Sequence, residues 1–163
     1  MIKTREYSEK DYINLIECVE KLQDHIISVD NLGINIRSPE YGEYYTNNFL
    51  KKIKENQGII YVVYDEEKMI GFIGFIIEES CPEDKYEIKP IKIGRVSELF
   101  VNENYRGKKI GHSLINLAED YFNKNNCNLS RIEVFVPNKI AYDFYHRLGY
   151  EDRIADVSKT LKT

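Results

Sequence analysis

Between Val96 and Tyr121 an apolar strand, a basic turn marked by glycine and an amphipathic helix follow one another, and this succession constrains the chain most. Val96-Ser97-Glu98-Leu99-Phe100-Val101 reads as the strand. Ile110, Leu114, Leu117 and Tyr121 then recur at helical spacing, so a helix begins around Lys108. The turn is Arg106-Gly107-Lys108-Lys109-Ile110-Gly111. A strand feeding through a short turn into a helix is a building unit of α/β folds. Helix starts carry unpaired N–H groups and partial positive charge, and glycine lets an anion come close to the backbone, so this turn is a candidate phosphate site. Arg106, Lys108 and Lys109 add full charges. The spacing fits neither a P-loop nor the dinucleotide fingerprint, which excludes two common nucleotide motifs.

A second unit follows. Arg131 to Val136 reads as a strand, and Pro137-Asn138-Lys139 leads into a short helix with Ala141, Phe144, Tyr145 and Leu148, closed by Gly149-Tyr150. Residues Arg106 to Gly111 match Gln/Arg-x-x-Gly-x-Gly/Ala. Asn138-x-x-Ala141-x-x-Phe144-Tyr145-x-x-x-Gly149-Tyr150 matches a second ordered segment.

On these two motifs the chain resembles the GNAT superfamily of acetyl-CoA-dependent N-acetyltransferases over Val96 to Tyr150. One departure is Lys109, where the family usually has glycine; a residue already in helical conformation would not need glycine's freedom. The resemblance implies an α/β (α+β) fold: a mixed, mostly antiparallel sheet flanked by helices, in the order β-α-α-β-β-β-α-β-α-β. It implies acetyl-CoA as cosubstrate, with the pyrophosphate at Arg106, Gly107, Lys108, Lys109, Ile110 and Gly111, and His112 close to the phosphates or merely on the surface. Backbone groups of Leu99, Phe100 and Val101 and the amide of Asn138 would hold the pantetheine arm.

The first half is read on its own pattern. Ile2 to Tyr7 is a short alternating strand, Ser8 can cap a helix, and Asp11 sits in its first turn. Tyr12, Leu15, Ile16, Val19, Leu22 and Ile26 form a helical stripe for the core. A loop from Asp30 to Gly42 precedes a second helix with Tyr45, Phe49, Leu50 and Ile53, ended by Gly58. Ile59 to Tyr64 and Met69 to Ile77 are strands of a hairpin turning at Asp65-Glu66-Glu67-Lys68. Glu78 to Pro90 reads as an irregular acidic loop, either solvated surface or an attractor of a cationic amine. Residues Asp152 to Leu161 alternate enough for one last strand or a reduced hairpin.

The length of 163 residues suits one domain with a single core, its cofactor-binding part at about 96–150. A net charge of −4 argues against nucleic-acid binding, and no apolar run reaches a membrane-spanning length. The N-terminus enters charged residues without a signal-like stretch, so a cytoplasmic location is expected. A homodimer is left open. Cys18, Cys81 and Cys127 are spaced as reduced thiols, and His25, His112 and His146 give no metal spacing, so no metal is expected.

The expected chemistry is acetyl transfer from a thioester to an amine, which must lose its proton before it can attack. Glu98, on the strand where the family places acceptor-contacting residues, is the candidate base; a strand-surface salt bridge is its other reading. Tyr145 matches the family's general-acid tyrosine for the departing thiolate, and otherwise would pack as a core aromatic. With no activated Cys or Ser evident, transfer would be direct. A non-catalytic acyl-CoA-binding or regulatory module is the alternative. The amine acceptor is not readable.

Overall fold

Residues Met69 to Ile77 are all buried, because this apolar run becomes the middle of a sheet covered on both faces. The computed structural model describes residues 1–80, 83 and 86–161. The elements are β1 (Ile2–Glu6), α1 (Tyr12–Val29), α2 (Tyr41–Glu55), β2 (Ile59–Asp65), β3 (Lys68–Glu79), β4 (Lys92–Val101), α3 (Ile110–Lys124), β5 (Leu129–Ile132) and α4 (Lys139–Arg147). The sheet order is β1-β2-β3-β4-β5. Neighbours are antiparallel except β4 and β5, which are parallel and joined through α3.

Strand alternation sorts the apolar residues into two layers. On one face Val62, Phe72, Ile76 and Phe100 pack with Leu15, Val19, Phe49 and Ile53 of α1 and α2. On the other, Val63, Ile73, Phe75 and Val96 pack with Leu114, Ile115, Ala118 and Phe122 of α3, and with Tyr145 of α4. Two strand glycines make room for rings: a Cβ on Gly74 would sit 2.1 Å from Phe49 Cζ, and one on Gly94 2.1 Å from Phe122 Cγ.

Several boundaries differ from the sequence pattern. Glu78 and Glu79 belong to β3 rather than to the acidic loop, since Arg95 on β4 donates to Glu78 Oε1 at 2.7 Å and carries the ladder outward. Of that loop, Cys81, Pro82, Asp84 and Lys85 lie outside the described residues. β5 ends at Ile132 rather than running to Val136, because its pairing with β4 stops at Val96–Ile132. No strand forms in residues 151–161, all of which are exposed, Ile154, Val157 and Leu161 included. Their alternation has no covering layer to bury it, and without burial period two does not make a strand.

Candidate functional site

The site arises from an irregularity in β4. Gly74 pairs with Glu98 and Phe75 with Val96, so Ser97 is one residue too many and forms a β-bulge. The bulge turns β4 just where its pairing with β5 ends. Beyond it, Glu98 to Val101 are paired to β3, while the side towards β5 has no strand partner among the described residues. The parted strands enclose a cleft of about 220 Å³. Ser97, Glu98 and Leu99 form one wall and Ile132, Glu133, Val134 and Phe135 the other; Tyr41 and Tyr45 of α2, Asn138 at the N-cap of α4, Ala141 and Tyr145 of α4, and one face of α1 at Val19, Leu22, Gln23 and Ile26 line the rest.

Glu98 is half-buried, and burial raises its carboxyl above the ordinary range. A hydrogen bond from the Tyr45 hydroxyl to Oε1 and the charge of Lys52 oppose that shift, and Glu133 adds to it. Among the described residues Glu98 makes no salt bridge of the kind its place on the strand also suggested: its hydrogen-bond partner is a tyrosine. Tyr145 is buried at 7% exposure, yet no hydrogen bond reaches its hydroxyl from the described residues. Burial raises its proton affinity well above that of a free phenol, so the hydroxyl is a neutral donor at working pH. The Ser97 hydroxyl is also buried without a partner among the described residues.

Asn138 caps α4 by accepting from Ala141 N at 3.3 Å, and His25 Nε2 of α1 lies 3.3 Å from the same oxygen. Its carbonyl oxygen is therefore committed to structure. Phe100 lines no part of the cleft; its ring packs on Phe72 at 6.2 Å in the α1/α2 core layer.

Arg106 to His112 lie apart from the cleft, in the turn that starts α3. Arg106 Nε donates to the Val101 carbonyl at 3.2 Å, which ties the turn to the end of β4. Lys108 places its ammonium over the Tyr105 ring at 4.6 Å. Gly107 has φ +78°. The helix begins at Ile110, and Lys109 before it is left-handed, with φ +61° and ψ +9°. The expectation that Lys109 would already be helical is thus overturned: it holds the backbone state for which glycine is suited. Among the described residues no side chain caps α3, which leaves N–H groups of its first turn without a capping partner. A Cβ on Gly111 would meet Phe144 Cζ at 3.2 Å, so this glycine lets α4 pack against the start of α3. His112 is exposed and lies 3.2 Å from the Asn116 amide.

The sequence pattern missed the place of both Tyr41 and Tyr45 in the cleft: Tyr45 reads as part of the core stripe of the second helix, and Tyr41 as part of the loop before it, whereas α2 begins at Tyr41. Their rings stack at 5.3 Å one helical turn apart, and Tyr41 donates to Gln23 Oε1 at 3.3 Å. Two tyrosines at i and i+4 were the available signal. Cys18 is buried, with its thiol pushed up to about 11, and Cys127 is also raised by burial; neither lines the cleft. Among the described residues no group of His, Cys, Asp or Glu side chains could hold a metal ion, and no helix is long and apolar enough to cross a membrane.

Comparison with known proteins agrees with this geometry. An N-alpha-acetyltransferase of Sulfurisphaera tokodaii is 28% identical over 130 residues, 79% of this chain and 74% of that protein. An uncharacterised N-acetyltransferase of Methanocaldococcus jannaschii, MJ1207, is 38% identical over 101 residues, 62% of this chain. The match spans 42% of that relative's length. A mutant BH1408 protein from Bacillus halodurans shares the fold, with a TM-score of 0.81 at 20% identity over 98% of this chain and 99% of that one. The acetyltransferase (GNAT) family profile matches residues 26–150, and the chain belongs to that family.

Proposed function

We propose that the chain transfers an acetyl group directly from acetyl-CoA to a primary amine, with Glu98 as general base and Tyr145 as general acid. One observation carries this reading: the half-buried Glu98 carboxyl and the unpartnered Tyr145 hydroxyl open on the same cleft.

The residues present fit an acyl-CoA. The unpaired side of β4 at Leu99 offers backbone groups to an extended arm, and the buried Ser97 hydroxyl lacks a partner among the described residues. The uncapped start of α3, flanked by Arg106, Gly107, Lys108 and Lys109, suits a pyrophosphate. The cosubstrate supplies an activated thioester carbonyl. Glu98 receives the proton that the amine must lose, and its raised affinity for protons makes it a better base near neutrality. Tyr145 donates a hydrogen bond to the departing sulfur; burial holds its own proton tightly, which favours stabilising the thiolate over full transfer. Neither described thiol has the depressed pKa of a nucleophile, which supports transfer without a covalent enzyme intermediate.

The test is a panel of amines with acetyl-CoA, followed by free-thiol release, for the wild type and Tyr145→Phe. The substitution removes only a hydroxyl that makes no internal hydrogen bond among the described residues. Turnover should fall about 100-fold with coenzyme A affinity retained, the size of a lost general acid. Undiminished kcat, in single-turnover as well as steady-state runs, would overturn the role of Tyr145. Coenzyme A binding without turnover on any amine would instead favour a binding module.

A further inference from the structure

We propose that Tyr45 is a positioning residue for Glu98: its hydroxyl, on α2, donates to Glu98 Oε1 on β4 and fixes the carboxylate that takes the amine's proton. The catalytic part of this inference rests on the function proposed above; the positional part does not. The Tyr45 ring is itself held. It stacks on Tyr41 at 5.3 Å with 23° between the planes, and Tyr41 is anchored to Gln23 on α1. A run of contacts from α1 through two tyrosines of α2 therefore ends on one carboxylate oxygen. Among the described residues no other side chain hydrogen-bonds Glu98. Its second oxygen is left for the cleft, where an amine can bring its N–H. When that N–H bond breaks, the proton forms an O–H bond on Glu98, and the nitrogen keeps the electron pair with which it attacks.

The charged and titratable groups around Glu98 fix the sign of the effect. Burial disfavours the carboxylate, and Glu133, in the chain beyond β5, disfavours it further. Lys52 on α2 favours it, and so does the Tyr45 hydroxyl. Tyr41 and Tyr145 face it as neutral phenols, each with its proton affinity raised by burial. Loss of the Tyr45 hydroxyl removes a stabilising donor from the carboxylate, so Glu98 should bind its proton at higher pH and its rotamer should loosen.

The experiment compares Tyr45→Phe with wild type in two readouts: the pH profile of kcat/KM on an amine from the panel, and the Glu98 carboxyl titration followed by carbon NMR. Tyr44→Phe is the control, since Tyr44 sits one residue away on α2 and is 69% exposed. The acid limb of Tyr45→Phe should move to higher pH. Its kcat/KM near pH 6 should fall about tenfold, as expected for a lost hydrogen bond to a charged group, while Tyr44→Phe keeps the wild-type profile. The NMR titration of Glu98 should move in the same direction. An unmoved Glu98 titration in folded Tyr45→Phe overturns the inference. If Glu98→Gln keeps wild-type turnover, the base assignment fails separately, and the titration still decides whether Tyr45 holds the carboxylate.

Discussion

Lys109 keeps a left-handed backbone at the entrance to α3, and a side chain in that state costs on the order of 1 kcal/mol that glycine does not incur. Lys109→Gly should therefore raise unfolding stability by about 0.5–1 kcal/mol after allowance for glycine's greater freedom in the unfolded chain, as read by urea denaturation. A loss of stability would mean that the Lys109 side chain makes a compensating contact. Left-handed geometry could not be read from the residue itself, since lysine rarely adopts it. It follows from the need to reverse the chain between the end of β4, which Arg106 grips, and the buried Ile110. Tyr145 was legible as a candidate because it stands at a fixed offset in the second motif, and Glu98 because it lies on the strand that leads into the basic turn. Tyr45 was not, because nothing within α2 announces a partner on β4.

At the scale of elements, one ion pair joins β1 to the start of α1. The Arg5 guanidinium donates two hydrogen bonds to the buried Asp11 carboxylate at 2.6 and 2.7 Å, and Ser8 N–H and the Tyr64 hydroxyl add two more at 2.8 Å. Arg5 is the main cause of an Asp11 pKa far below the usual carboxylate range, with Ser8 and Tyr64 assisting against burial. Since the folded value is depressed, Asp11 stabilises the fold fully above its unfolded value of about 3.9, and this contribution is lost as pH falls below it. Asp11→Asn should cost about 1–3 kcal/mol at pH 7, a modest figure because the Arg5 side chain is 49% exposed. The gap to wild type should narrow as pH drops from 4 towards 2 in urea titrations. A constant gap would show that Asp11 acts through packing and not charge. Ser8 and Asp11 were readable as a helix start. The anchor from β1 was not, because it depends on where a strand lies against that start.

For the whole molecule, the proposed cosubstrate site spans three elements: the free side of β4, the cleft towards α4 and the uncapped start of α3; a ligand there binds only the folded chain, in which the three are brought together. Acetyl-CoA should therefore stabilise the fold, by about 2.7 kcal/mol at 100 times its dissociation constant. Arg106→Glu combined with Lys108→Glu should reduce that gain by weakening affinity, with calorimetry as the check; unchanged affinity would remove the pyrophosphate from the start of α3. By itself the sequence determined which segments are strands and helices, their order as far as α4, and two motifs sufficient to point to the family, because helical and strand periodicities and turn residues act over a few neighbours. Only the tertiary structure decided the bulge at Ser97, the end of β5 at Ile132, the lack of a strand in residues 151–161 and the bond from Tyr45 to Glu98, 53 residues apart. Each of these depends on which backbone groups and side chains of distant segments meet, and register across a sheet is settled by burial of the whole face at once.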